Sequence, residues 1–224
     1  MSLIQLLALV LAPVIAWNPQ AASGLRSKQH STTEFNTRNT VDTFNSTERL
    51  QELSDGEARI WYLGHCGWAV ETRTRVLVFD YWETVHTTLE PGLENGRVDP
   101  TELSDRDVFV FVSHDHGDHY DPTILEWADV VPNITYIFGW DAGLGPELEY
   151  MTEVRATRNY SGMVVSTINH DFDGIPEVAY LVKVDGLTIF HSGDHGSTSE
   201  VPNPVFTDNI DHFGSMQDEI DIAF

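Results

Sequence analysis

Short apolar runs broken by glycine and charged turns dominate the chain from Ala58 onward. ARIWYLG, WAVET and RVLVFDYW follow one another with breaks at Gly64, Gly67 and Arg73-Thr74, and their β-branched and aromatic content predicts three strands. DVFVFVSH is almost continuously apolar, as expected of a strand covered on both faces. ITYIFGW, MVVSTIN, EVAYLVKV and LTIFHSGD each predict a further strand. The last two are joined through Asp185-Gly186, the strongest hairpin signal in the chain. DEIDIAF reads as one more strand. Between strands, Asp121-Pro122 predicts a cap and first turn for a helix through TILEWADV. No internal repeat is visible.

The first quarter of the chain follows another pattern. Leu3 to Ala16 is apolar apart from Gln5, with Pro13 interrupting it late; this is the length of a signal-peptide core and too short to span a bilayer. Residues 1–22 are therefore expected to be a signal peptide and the protein to be exported, periplasmic or extracellular. A buried amphipathic helix in a cytoplasmic protein is the alternative. Residues 23–55 read as a polar linker ending in a short helix around Ser46 to Leu53, capped by Ser46 or Thr47. The folded domain is expected over 56–224.

Composition narrows the function classes. With 224 residues, 41% hydrophobic and 11% aromatic, the chain can build one domain with a sizeable core. Its formal charge is −23, and lysine occurs only at Lys28 and Lys183. No basic patch exists to grip a phosphate backbone, which disfavours general nucleic-acid binding. Dispersed acid with scarce lysine suits solubility in strong salt, where self-repulsion is screened. The single cysteine, Cys66, rules out an internal disulfide and reads as a small buried residue.

Candidate chemistry concentrates in VFVSHDHGDHYD, residues 110–121. His114 and His116 are two apart behind a buried strand, so on an extended strand end both imidazoles point to one side. Asp118 and His119 sit on the turn that follows. Two imidazoles, a carboxylate and a third imidazole form a nest for a borderline metal such as zinc. His170 and Asp194 fall at later strand ends, where a sheet can hold side chains over a shared cleft. Asp80, ending VLVFD, is placed to orient a ligand histidine. His65, Tyr120 and His195 are candidate substrate contacts.

Through those residues the chain resembles the metallo-β-lactamase superfamily. SHDHGDH matches its metal motif, YLGHCGWAVET and VLVFDYW resemble its opening strands, and INHDFDGIPEVAYLVKVDGLTIFHSGDHG resembles its later block. The nearest likeness is to the branch holding ascorbate-6-phosphate lactonase and the phospholipase-D-like N-acyl-phosphatidylethanolamine hydrolases. The resemblance implies a four-layer αββα sandwich, two mixed sheets face to face with helices outside. It implies two Zn2+ ions, with Mn2+ as the alternative: His114, His116 and His170 on one, Asp118 and His119 on the other, Asp194 bridging both.

The implied activity is a metal-dependent hydrolase using a metal-bound hydroxide on an ester, lactone or phosphodiester, with Asp118 also orienting the nucleophile. The alternative is a non-catalytic or degenerate metal-binding domain of the same fold. The resemblance also leads one to expect a further ligand histidine after DEIDIAF, so that the chain reads as lacking the C-terminal part of the fold; His212 is a poor substitute. A small-molecule substrate, no nucleic acid and no stable membrane insertion complete the expectation, and the oligomeric state is left open.

Overall fold

A computed structural model of the chain describes residues 52–83, 88–172, 174–196, 204–216 and 219–224, with only the main chain of 170–172. All lie within the compact unit Glu48–Phe224. The expected signal segment and nearly all of the linker and its short helix fall outside the described residues.

Two mixed β-sheets make up the domain. The first has the order β1-β2-β3-β4-β5-β6. It comprises β1 Arg59–Tyr62, β2 Trp68–Glu71, β3 Val76–Phe79, β4 Val108–Val112, β5 Ile134–Phe138 and β6 Glu149–Tyr150. β1, β2 and β3 pair antiparallel, whereas β3 through β6 run parallel. The second sheet has the order β11-β10-β9-β8-β7. Its strands are β7 Thr157–Tyr160, β8 Met163–Phe172, β9 Ile175–Val184, β10 Leu187–His191 and β11 Ile222–Ala223.

The pleat explains the packing. Along β4 every residue is buried, but Val108, Val110 and Val112 face one core while Phe109 and Phe111 face another. The phenylalanines join Val70, Leu77, Phe79 and Ile137 against Val165, Val178, Tyr180, Val182 and Ile189 of the second sheet, forming the interior between the sheets. The valines meet Leu93, Leu103, Ile124 and Trp127 on the outer side of the first sheet. The outer side of the second sheet, through Ile168, Ala179 and Leu181, takes Phe213 of the helix α1 Pro204–Met216.

Two mixed sheets thus pack face to face, and helix is sparse. Among the described residues α1 is the one α-helix, and the segment expected to be helical after Asp121 is instead a 3-10 helix, Pro122–Asp129. Asp121 does cap it, accepting from Thr123 N–H at 3.0 Å. Its buried residues Ile124 and Trp127 are three apart, which a three-residue turn brings onto one face. The Asp185-Gly186 hairpin forms as expected, with φ of 46° and 78°. Asp185 also accepts from Thr72 Oγ1 and Thr74 N–H, both at 2.7 Å, tying this hairpin to the β2–β3 turn of the other sheet. No helix among the described residues is long and apolar enough to cross a membrane.

Candidate metal centre

The centre gathers where β3, β4 and β10 end. β4 stops at Val112, and the chain continues through Ser113 to His114, whose main chain bridges Glu177 of β9. Glu177 is also the register partner of His170 on β8, so the main chains of 114, 177 and 170 lie side by side. Tyr180 of β9 fixes this region by donating its hydroxyl to Val112 O at 2.8 Å and Ile137 O at 3.2 Å. Close approach is built in. A Cβ on Gly139 would lie 2.2 Å from Ser113 O, and one on Gly193 would lie 2.8 Å from Ser113 Cβ, so backbone closes on Ser113 from both flanks.

Asp80, fully buried just beyond β3, is the hub. Its Oδ1 accepts from Ser113 N–H at 2.7 Å. Its Oδ2 accepts from Ser113 Oγ at 2.7 Å, and from His119 Nδ1 and His191 Nε2, each at 2.8 Å. Burial opposes ionisation, but the charges and hydrogen bonds of His191 and His119 outweigh it and hold the carboxyl well below its usual range. The residue sits at φ 43°, a left-handed conformation that Asp tolerates better than most side chains.

The hub sets the tautomers of the histidines above it. With Nδ1 of His119 donating to Asp80, its Nε2 faces Asp194 Oδ1 at 3.2 Å. Ser113 Oγ spends its proton on Asp80, so it accepts from His114 Nδ1 at 2.9 Å, which leaves His114 Nε2 as the bare nitrogen. That nitrogen lies 2.8 Å from His116 Nδ1 and 3.7 Å from Asp194 Oδ2. Histidines with the far nitrogen locked by a carboxylate network and the near nitrogen turned toward the other donors are the arrangement a metal requires. His114, His119 and Asp194 offer donor atoms all within 4.8 Å of one another, so the donor set fits a cation.

Burial, then the neighbouring His119, pushes His114 down to about 4. Burial would lower His119 too, but the hydrogen bond and charge of Asp80, with Cys66 and Asp194, raise it to about 10.

The other expected residues are less convergent. Asp118 is half-exposed and pairs with His65 Nε2 at 3.1 Å. Tyr120 packs edge-on against Phe138 and Trp140, at 5.6 and 5.5 Å. His195 is buried beneath α1, stacked on Phe206 and accepting from Asn209 Nδ2 at 3.3 Å. The His170 side chain lies outside the described residues, and His212 is on α1, stacked on Phe213. Sequence reasoning missed His191, Ser113 and Cys66. Ser113 and His191 each adjoin a motif already singled out, SHDHGDH and HSGD, which was the available signal.

The family model described as a beta-lactamase superfamily domain matches residues 59–213. No curated protein sequence matches the chain. Among solved structures, Igni18, a novel metallo hydrolase from Ignicoccus hospitalis, is similar at 18% identity and TM-score 0.46, over 64% of this chain and 63% of that one. A metallo-beta-lactamase from Cronobacter sakazakii, a HARLDQ-motif mutant, is similar at 14% identity and TM-score 0.45, over 74% and 75%. CmlA, a diiron beta-hydroxylase from Streptomyces venezuelae, is similar at 15% identity and TM-score 0.46, over 64% of this chain and 31% of that one. The chain thus spans under two thirds of the length of Igni18 and about a third of CmlA.

Proposed function

The chain belongs to the beta-lactamase superfamily, and from that membership we propose that it is a metal-dependent hydrolase of a small substrate carrying an ester, lactone or phosphodiester bond. The observation that carries this reading is the convergence of His114, His119 and Asp194, with both histidines locked from behind by Asp80 and Ser113. In this reading His114, His116 and His170 would hold one cation and His119 and Asp118 a second, with Asp194 available to both. Imidazole-rich sites favour zinc, with manganese as the alternative.

Such cations would supply an activated water and a positive charge for the oxygen on which negative charge develops. The chain's own residues do the rest. Asp80 keeps the two histidines in the tautomer that presents Nε2. Asp118 stands at the exposed rim with Oδ2 on His65, so that Oδ1 would serve the second cation and orient the nucleophile beside it. Tyr120, raised above its usual value by burial and by Asp115 and Asp121, stays a phenol and a hydrogen-bond donor toward substrate. His65 and His195 are further substrate contacts in this reading. The lactonase-like and phospholipase-D-like branch supplies the substrates to try first.

A non-catalytic metal-binding domain competes with this reading, favoured by the pairing of Asp118 with His65. Metal analysis and turnover separate the two. The zinc- or manganese-loaded chain is expected to hydrolyse at least one of a generic aryl ester, a lactone and bis-nitrophenyl phosphate, to lose that rate on chelation and to regain it on reloading. One tight ion with no rate on any of the three would overturn the hydrolase and leave the binding domain.

A further inference from the structure

A second donor group lies beside the first and uses a residue type absent from it. His65, Cys66 and His119 bring an imidazole nitrogen, the thiol sulfur and another imidazole nitrogen within 4.8 Å of one another. The first two come from the tight turn joining β1 to β2. There Gly67 N–H donates to Gly64 O at 2.7 Å and Leu63 N–H to Gly67 O at 2.8 Å, closing the loop in four residues. His65 is held at φ 46°, a left-handed conformation costly for a residue with a Cβ. Strain of this kind persists only where surrounding contacts enforce it. Here the His65 ring stands edge-on to His119 at 5.3 Å and to Trp82 at 5.8 Å, while its Nε2 takes Asp118 at 3.1 Å. Cys66 Sγ lies within 4.8 Å of a ring nitrogen of His119 as well as of His65.

If the turn served only to reverse the chain, no reason would exist for its thiol and imidazole to meet at the one histidine whose Nδ1 is locked by Asp80, with Asp118 paired to that imidazole. We propose that the Cys66 thiolate is a ligand of the cation that His119 holds, with His65 and Asp118 as its neighbours. This inference rests on the metal-binding part of the proposed function and changes the chemistry of one position. On binding, the S–H bond of Cys66 breaks, its proton leaves to solvent and a sulfur–metal bond forms, with no change of oxidation state. The two cation positions then differ. The one at His114 and His116 offers nitrogen and oxygen donors, whereas the one at His119 adds a soft sulfur, which selects zinc, cobalt or cadmium over manganese and magnesium.

Because Cys66 is the one cysteine of the chain, every thiol signal reports on it alone. The full-length protein, stripped of metal, is treated with a chromogenic disulfide reagent with and without zinc, manganese or magnesium. Zinc is expected to slow thiol modification about tenfold or more, and magnesium to leave it unchanged. Cobalt is then titrated into the parent chain and into Cys66→Ser. The parent is expected to develop a near-ultraviolet sulfur-to-cobalt charge-transfer band that Cys66→Ser lacks, with one of its cobalt ions bound more weakly. Circular dichroism checks the fold of the variant, and the parent's own band and thiol protection stand without it. A cobalt-loaded parent with no such band overturns the proposal, even where zinc slows the reagent by crowding. A chain that hydrolyses substrate with bound metal but shows no band loses this proposal and keeps the hydrolase; a chain that binds no metal loses both.

Discussion

Replacing Asp80 by Asn tests the hub with little change of shape. Asn tolerates the left-handed backbone at this position, so the substitution isolates charge and acceptor capacity from backbone strain. The carboxylate accepts from four donors: Ser113 N–H, Ser113 Oγ, His119 Nδ1 and His191 Nε2. The amide can be placed two ways. With its oxygen toward Ser113 N–H, its NH2 faces two imidazole N–H groups, which must change tautomer. His119 then turns an N–H toward Asp194 and can no longer ligate. With the amide reversed, the buried Ser113 N–H loses its acceptor.

Either way at least one buried donor is orphaned, at about 1–3 kcal/mol, and the charge-assisted bonds weaken; breaking such a buried charge network costs about 3–5 kcal/mol in total. In urea this lowers the unfolding midpoint of the metal-free chain by about 1–2 M. Loss of the orienting carboxylate weakens zinc binding by about 10–100-fold. Equilibrium unfolding in chelator and zinc competition against a chromophoric chelator measure the two. The sign with pH also follows. The Asp80 pKa is depressed, so its stabilisation is present above the usual 3.8 and is lost only in acid well below it; the gap between parent and Asp80→Asn persists across neutral pH. Unchanged midpoint together with zinc affinity within about twofold of the parent would refute the hub.

Three more outcomes follow from particular contacts. His119 is raised from 6.5 to about 10 in the metal-free chain, so it is protonated at pH 7 and must give up that proton to ligate. Calorimetry in buffers of different ionisation enthalpy should show about one proton released from His119 per chain, in addition to the Cys66 proton, and metal affinity should rise with pH. The same shift means that this histidine's contribution to metal-free stability is full below pH 6.5 and fades as pH climbs through about 10, visible in a pH series of melting curves. Tyr180→Phe removes the hydroxyl that donates to Val112 O and Ile137 O, and because Val112 O keeps Gly139 N–H at 2.9 Å the loss should be that of an ordinary buried hydrogen bond, about 0.5–1.5 kcal/mol in denaturant unfolding. The formal charge of −23 predicts a melting temperature that rises from low to molar KCl, as the screening length shrinks to about 3 Å; a flat or falling series would remove the salt-adapted reading.

Much of the fold is readable along the chain because its strands are local signals. VFVFV, VLVF and LTIFH announce themselves by apolar density, and Asp185-Gly186 by turn chemistry. The polar edge strand TRNY gives no such signal, since its pairing with β8 supplies what its composition does not. The helix α1 is equally quiet: Asp208, Asn209, Asp211 and Gly214 are poor helix formers. It is held from outside by Phe213 on the second sheet, by the ion pair of Asp208 with Arg155 and by Asn209 donating to Asn169 O at 3.0 Å. At the centre, His114, His116 and His119 betray themselves by spacing. His191 and Cys66 cannot, because each gains its meaning from Asp80 or His119, residues distant in sequence that only the folded sheets bring near.

The glycines pressed on Ser113 bear on anyone who would retrain this scaffold. A methyl group at 139 or 193 has nowhere to go, so the floor beneath the donor cluster accepts no variation without moving the backbone that aims it. The rim around His65 and Asp118 is open by comparison, with about two fifths of each side chain in solvent. A mutational library aimed at new substrates belongs on that rim, and one that randomises the floor will mostly return chains that no longer assemble.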